Sequence, residues 1–164
     1  NMNDCMLFID GSVNPRSKIG YGAYLAVSDS CLSLDRLKDQ VNVKQFEDTS
    51  STKLELQNLL WALKEVAILG RKVTIYTDSQ NSISLLDRRE KLEKNNYYSS
   101  KNKRLNNYEL YQAFYETIDK FECQFVKIKG HKKSSQKNDI DKIFALVDKA
   151  SRQALRRAEA TLTF

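Results

Sequence analysis

The order in which strand-like and helix-like segments follow one another constrains the fold of this 164-residue chain more than any other feature. Three strand-like runs come first, at residues 5–10, 20–27 and 40–46. Apolar residues then recur at helical spacing from about residue 51, and further strand-like runs follow at 72–77 and 123–128. Each of these last two runs comes after a helix-like segment, as a crossover between parallel strands requires.

This order predicts an α/β fold, in which a five-stranded mixed β-sheet is flanked by α-helices. We expect the first three strands to be antiparallel and the last two to be parallel. After the helix that begins near residue 51, we expect a short helix over about 79–86, an amphipathic helix over 107–121, and a final helix with an apolar face from Ile140 to Ala154. Residues 29–39 fit either a loop or a short helix.

Local signals indicate where several elements begin and end. Residues 11–18 are rich in turn formers and predict the connection between the first two strands. Thr52 and Glu55 have the spacing of a capping box at the start of a helix, and Gly70 is a natural stop for that helix. The polar and charged segment 87–104 is typical of a solvated loop.

Size and composition restrict the class of protein. The length predicts one domain, placed here at residues 3–159, with a C-terminal tail at 160–164. The formal net charge of +6 makes a polyanionic partner plausible. No membrane span or secretory signal is recognisable, and Cys5, Cys31 and Cys123 show no C-x-x-C spacing. We therefore expect a cytoplasmic monomer with reduced cysteines and no membrane association.

Carboxylates at separated positions are the strongest sign of chemistry. Asp10 and Asp78 each follow a strand-like run, whereas Glu55 and Asp148 lie on helix-like stretches. Each has a structural explanation when taken alone, such as a turn, a helix cap or an exposed helical position. Taken together, acids that converge from a sheet and its helices could hold two Mg²⁺ ions against a phosphodiester, because Mg²⁺ prefers oxygen ligands. The pattern favours a nuclease.

Six ordered stretches of the chain resemble type 1 ribonuclease H. They are FIDGS at 8–12, GYGA at 20–23, TSSTKLEL at 49–56, IYTDSQ at 75–80, KIKGH at 127–131 and VDKA at 147–150. Each motif is common by itself, but their succession on the expected strands and helices is specific, and the resemblance covers about residues 5–157.

The resemblance implies the ribonuclease H-like fold and a metal-dependent endonuclease that cleaves the RNA strand of RNA:DNA hybrids, leaving 5′-phosphate and 3′-hydroxyl ends. It implies two Mg²⁺ ions at the scissile phosphate, about 3.5–4 Å apart, with Mn²⁺ as a substitute. It implies that Asp10 bridges both ions and that Glu55, Asp78 and Asp148 complete the metal ligands. It also assigns proton transfer or product departure to His131, the only histidine, since histidine titrates near neutral pH.

Substrate contacts are expected around these acids. An enzyme of this kind must detect a 2′-hydroxyl, and the backbone beside Asp10 is placed to do so. Ser51 and Thr52 could instead cap the helix that begins near residue 51. For phosphate binding, the lysines next to His131 are better candidates than the segment 87–104. The segment 87–104 lies where the family often has a basic protrusion that grips the DNA strand. The candidate substrate-binding residues are Gly11, Ser12, Asn14, Ser51, Thr52, Gln80, Lys132 and Lys133.

The sequence departs from the family pattern near its end. Asp148 lies farther from His131 than the family's usual spacing, and Asp141 lies between them. Asp141 and Asp148 are ~10 Å apart along one helical face, so both cannot bind the same ion pair from one straight helix. We choose Asp148 because its flanking residues resemble the family's acid-bearing turn, with Asp141 as the alternative.

Two other functions fit the same pattern. One is a junction-resolvase or transposase-type nuclease of the same broad fold. The other is a non-catalytic module that binds hybrid or duplex RNA, although such a module could dispense with the acids.

Overall fold

The computed structural model describes residues 4–28, 33–66, 72–130 and 132–161. The strands are β1 (Asp4–Asn14), β2 (Ile19–Val27), β3 (Asn42–Phe46), β4 (Lys72–Thr77) and β5 (Cys123–Lys127). The helices are α1 (Leu34–Lys38), α2 (Ser51–Val66), α3 (Gln80–Lys94), α4 (Tyr108–Lys120) and α5 (Asp139–Thr161), and a short 3₁₀ turn spans Ser134–Gln136.

The strands form one sheet in the order β3-β2-β1-β4-β5. β1 pairs antiparallel with β2, and β2 pairs antiparallel with β3. β1 pairs parallel with β4, and β4 pairs parallel with β5. The predicted five-stranded mixed sheet flanked by helices is therefore confirmed.

Helices cover both faces of the sheet, which explains the unbroken apolar run of β1. Leu7 and Ile9 point into a core shared with α2 and α4. Phe8, between them, points into a second core that contains Val147 of α5. Phe8 also stacks on Tyr76 of β4, with ring centroids 4.7 Å apart. The central strands are thus fixed from both sides, and residues at their ends gain a rigid support.

The turn predicted over residues 11–18 is too long. β1 continues to Asn14, which pairs with Ile19 of β2, so that the turn is confined to residues 15–18. Leu54 of α2 packs over this part of the hairpin, since a Cβ added to Gly11 would lie 2.9 Å from its Cδ2 atom. Packing against α2 thus overrides the turn-forming composition of residues 11–14.

The predicted capping box of α2 is wrong. The backbone N–H of Lys53 donates to the side-chain Oγ of Ser50 at 3.3 Å, so Ser50 caps the helix instead of Thr52. The carboxylate of Glu55 instead accepts a hydrogen bond from Ser79, which lies outside α2. Gly70, the predicted stop, lies outside the described residues.

The helix predicted over 79–86 extends to Lys94, so the first part of the segment 87–104 is helical and not a loop. Leu85 and Leu92, seven positions apart, are both buried in the core and continue the apolar face of α3. In the uncertain stretch 29–39, residues 34–38 form the short helix α1. Across the described part of the chain, no helix combines the length and apolar character needed to cross a bilayer.

Candidate active site

The parallel pairing of β1 and β4 brings two of the predicted acids side by side. Phe8 is the register partner of Tyr76, so the same register carried two residues further sets Asp10 level with Asp78. Asp10 is half-buried because β1 continues past it, whereas Asp78 is exposed just beyond the end of β4. The carboxyl end of β4 therefore presents an acidic pair at the centre of the sheet.

Asp148 of α5 joins Asp10 directly. The two carboxyl groups share a hydrogen bond, and the charges of Asp78 and Asp148 both act on Asp10. Burial, this hydrogen bond and the two neighbouring charges raise the pKa of Asp10 to about 9, although the backbone N–H of Gly11 opposes the shift. In the absence of a cation, Asp10 is therefore protonated at neutral pH and donates to Asp148. This is the expected state of carboxylates that are crowded together without a counter-ion.

Glu55 approaches from α2 and is held by the N-terminus of α3. Ser79 caps α3 by accepting a hydrogen bond from the backbone N–H of Ser82. Its hydroxyl donates to the Oε2 atom of Glu55 at 2.6 Å. Burial and the charge of Asp78 raise the pKa of Glu55, while the hydrogen bond from Ser79 opposes the shift. The charge of Asp78, the residue that follows β4, therefore acts on Glu55.

Asp148 is held on its other side by its own helix. Arg152, one turn later, donates from Nη2 to Oδ2 of Asp148 at 2.8 Å. The Ser151 hydroxyl donates to the Asp148 carbonyl oxygen at 3.1 Å and lies 3.2 Å from the Ser12 hydroxyl of β1. These contacts fix the turn of α5 that carries Asp148 against the strand that carries Asp10.

The acids suit a hard divalent cation, although they are not yet arranged around one. Across the described residues, no three His, Cys, Asp or Glu side chains are already positioned to hold a metal ion. The donor set nevertheless consists of oxygen ligands, and the charges of its members raise the pKa of Asp10 and the pKa of Glu55. Arg152, which forms an ion pair with Asp148, has 53% of its side chain exposed.

Comparison with known proteins identifies the family of the chain. The sequence model of the RNase H family matches residues 2–155, nearly the whole chain. The chain belongs to the RNase H family. It is 31% identical to a ribonuclease H of Caldicellulosiruptor saccharolyticus, over 87% of this chain and 94% of that protein. It is 27% identical to a ribonuclease H of Syntrophomonas wolfei, over 79% of this chain and 86% of that protein.

A ribonuclease H of Clostridium botulinum strain Hall is also similar, at 29% identity over 61% of this chain and 68% of that protein. The resemblance predicted from the ordered motifs is therefore confirmed, and the chain is a nuclease of the RNase H type.

The alternative acid of this RNase H family member, Asp141, lines the same cleft as Asp78 and Asp148 but is engaged with other partners. It is buried at the start of α5, where its Oδ2 accepts from Lys132 Nζ at 3.1 Å and from the backbone N–H of Asn138 at 3.1 Å. Burial raises the pKa of Asp141, but the Asn138 N–H and the Lys132 charge outweigh it and leave the pKa below its ordinary value. Asp141 thus joins the preceding loop to α5. His131 lies outside the described residues.

The predicted substrate-binding residues are in several different environments. The side chain of Asn14 is turned toward α5, where Nδ2 donates to Glu159 at 2.8 Å. Gln80 accepts from Lys127 Nζ at 2.8 Å beside Asp78. Ser51 is exposed and Thr52 is half-buried, while Lys133 is exposed and Lys132 is engaged with Asp141. Gly11 and Ser12 directly follow Asp10 along β1.

Three residues that contact the acids were not predicted from the sequence. Ser79 and Arg152 had detectable signals, since one directly follows Asp78 and the other is four positions after Asp148. The third, Asn58, donates a hydrogen bond to the carbonyl oxygen of Asp10 at 2.9 Å. Its signal is a single amide within the otherwise apolar buried face of α2.

Proposed function

We propose that this RNase H family member hydrolyses the RNA strand of RNA:DNA hybrids with two divalent cations, leaving 5′-phosphate and 3′-hydroxyl ends. The observation that carries the proposal is the state of Asp10. A carboxyl group with a pKa raised to about 9 by burial and by two neighbouring acids is a strong attractor for a cation, which relieves the repulsion that the proton otherwise relieves.

The residues have distinct roles in this proposal. Asp10 shares a hydrogen bond with Asp148, and the charge of Asp78 acts on it; as the family resemblance implies, it would be the ligand common to both cations. Glu55, on which the charge of Asp78 acts, would complete the metal ligands together with Asp78 and Asp148. Bound Mg²⁺, or Mn²⁺ in its place, would activate the attacking water and stabilise the departing 3′ oxygen.

A basic rim surrounds one side of the acids. A cleft of about 380 Å³ is lined by three acids, Asp78, Asp141 and Asp148, together with Lys129, Lys132, Lys137 and Arg152. Positive groups beside a cation site can bind backbone phosphates without reading sequence. The hybrid would therefore lie with one strand's phosphates along this rim and the scissile phosphate over Asp10.

The family resemblance and the location beside the acids suggest roles for three further residues. The backbone groups of Gly11 and Ser12, next to Asp10 in β1, would detect the RNA 2′-hydroxyl. His131 falls between Gly130 and Lys132, which both line the cleft. It would transfer a proton or help the product leave, so its loss should slow turnover less than the loss of Asp10.

The test uses end-labelled RNA:DNA hybrid, duplex RNA, duplex DNA and a four-way DNA junction, each incubated with the purified protein and Mg²⁺ or Mn²⁺. We expect cuts in the RNA strand of the hybrid alone, with 5′-phosphate ends and no activity in chelator. The Asp10→Asn variant should still bind the hybrid without cutting it. Cleavage of the junction with the hybrid spared would support the resolvase alternative, and binding of hybrid without cleavage by the unaltered chain would support the non-catalytic module.

A further inference from the structure

A polar side chain lies in the apolar layer directly beneath the proposed metal ligands. Asn58 is on the face of α2 that packs on the sheet, and its side chain is 2% exposed. Its neighbours on that face, Leu54, Leu59 and Leu63, are buried and apolar. An amide at such a position must have its polar atoms satisfied by the protein, or its burial weakens the fold.

The amide nitrogen of Asn58 binds two strands at once. Nδ2 donates to the carbonyl oxygen of Asp10 at 2.9 Å and to the carbonyl oxygen of Ala23 at 3.0 Å. Asp10 and Ala23 are register partners in the pairing of β1 with β2. One side chain therefore joins α2 to both central strands at the level of the Asp10 backbone.

The amide oxygen of Asn58 faces β2. Oδ1 is buried and has no hydrogen-bond partner among the described residues. It lies over Gly22, where an added Cβ would clash with it. The glycine at position 22 therefore leaves the space that the Asn58 amide occupies.

The backbone at Asp10 has an unusual need for such support. The next residue, Gly11, is the register partner of Gly22, so neither strand has a side chain there to restrain the backbone. At the same place, the charges of Asp78 and Asp148 act on the Asp10 carboxyl. The hydrogen bond from Asn58 to the Asp10 carbonyl oxygen therefore acts beside this pair of glycines.

We propose that Asn58 is a positioning residue that holds the Asp10 backbone, and through it the Asp10 carboxyl, in the position required for cation binding. The inference rests on the proposed function, in which Asp10 is the shared metal ligand. Groups that orient a metal ligand typically change metal affinity by about 10–100-fold when they are removed.

The experiment measures Mn²⁺ affinity by titration calorimetry for the unaltered chain, Asn58→Leu and Asn58→Ala, together with thermal unfolding and hybrid cleavage. Asn58→Leu is close in size and lacks the donor. We expect its Mn²⁺ affinity to fall by about tenfold or more and its KM for hybrid to stay the same, with cooperative thermal unfolding showing that the variant is folded. Asn58→Ala should show the same loss of affinity, so the result does not depend on one substitution.

The matched control is Leu63→Ala, a fully buried position on the same helix that should lower stability and leave Mn²⁺ affinity unchanged. Wild-type Mn²⁺ affinity in both Asn58 variants would overturn the inference and leave the proposed function intact. Failure of the unaltered chain to cut hybrid, with Mn²⁺ affinity still lower in the Asn58 variants, would overturn the proposed function alone. If the unaltered chain bound no Mn²⁺, both would be overturned.

Discussion

At the scale of single residues, the protonation of Asp10 makes stability depend on pH when no metal is bound. The unfolded chain releases this proton near the ordinary pKa of 3.8, whereas the folded protein keeps it up to about pH 9. Since the folded state binds more protons between these values, its stability should fall as pH rises through that interval.

Asp10→Asn should therefore melt at a higher temperature than the unaltered chain in chelator, by a margin that grows from pH 5.5 to pH 8.5. The amide mimics the neutral acid and does not ionise. Thermal unfolding by circular dichroism at the two pH values measures the margin, with Asp87→Asn on the exposed surface of α3 as the control. The same margin at both pH values would show that Asp10 is not held protonated by its neighbours.

The two acids of α5 should separate activity from stability. Asp148→Asn removes a proposed ligand and should lower kcat on hybrid by roughly 100-fold or more, with little change in unfolding free energy. Asp141→Asn removes the negative charge that Lys132 and the Asn138 N–H bind, and should lower stability by roughly 1–2 kcal/mol with a smaller effect on kcat. The opposite pattern would make Asp141 the fourth ligand.

At the scale of helices and strands, the N-terminus of α3 connects folding with the site. Ser79→Ala removes both the cap of α3 and the hydrogen bond to Glu55. We expect a loss of about 1 kcal/mol in stability and a fall of roughly tenfold in cation affinity. Ser33→Ala, which removes the cap of a different helix, α1, should lose stability only. Equal cation affinity in the two variants would contradict a role for Ser79 in holding Glu55.

The elements that the sequence predicted well have local signals. Period-two and helical apolar patterns located all five strands and the helices α2, α4 and α5, because both cores need those faces. The extension of α3 to Lys94 was missed because it depends on Leu92 packing against the core. The strand character of residues 11–14 depends on Leu54, which is far along the chain.

In the candidate site, too, features with a local sequence signal were predicted and contacts between distant residues were not. The acids could be selected because each has a recognisable local motif, and the motifs have the order of a known family. The partners that hold them, Ser79 for Glu55 and Asn58 for Asp10, are contacts across 24 and 48 positions. A periodic pattern contains no information on such contacts, so only the folded chain identifies them.

At the scale of the whole molecule, an acidic centre lies within a protein of net charge +6. Arg88 and Lys91 line a cleft at the end of α3 together with Tyr98, and the guanidinium of Arg104 stacks on Tyr98, 5.1 Å from its ring centroid. This is the segment that the family resemblance places against the DNA strand. The helical part of this segment gives the basic side chains of Arg88 and Lys91 a fixed spacing that a loop would not provide.

Binding of a hybrid should therefore weaken steeply with salt. The double substitution Arg88→Gln and Lys91→Gln should reduce the slope of log affinity against log salt by roughly one to two units, since each lost phosphate contact changes it by about 0.9. Fluorescence anisotropy of a labelled hybrid with Asp10→Asn protein measures the slope without cleavage. Lys64→Gln, exposed on α2, is the control, and an equal slope in both would exclude the α3 cleft from the interface.

The central claim is that Asp10, Glu55, Asp78 and Asp148 gather around shared cations. The most direct measurement is the anomalous scattering of Mn²⁺ in crystals of the protein grown with a non-cleavable hybrid. We expect Mn²⁺ peaks within coordination distance of Asp10 and of the other three carboxylates, with the Asp10–Asp148 hydrogen bond broken. Mn²⁺ peaks located elsewhere, with that hydrogen bond intact, would contradict the account.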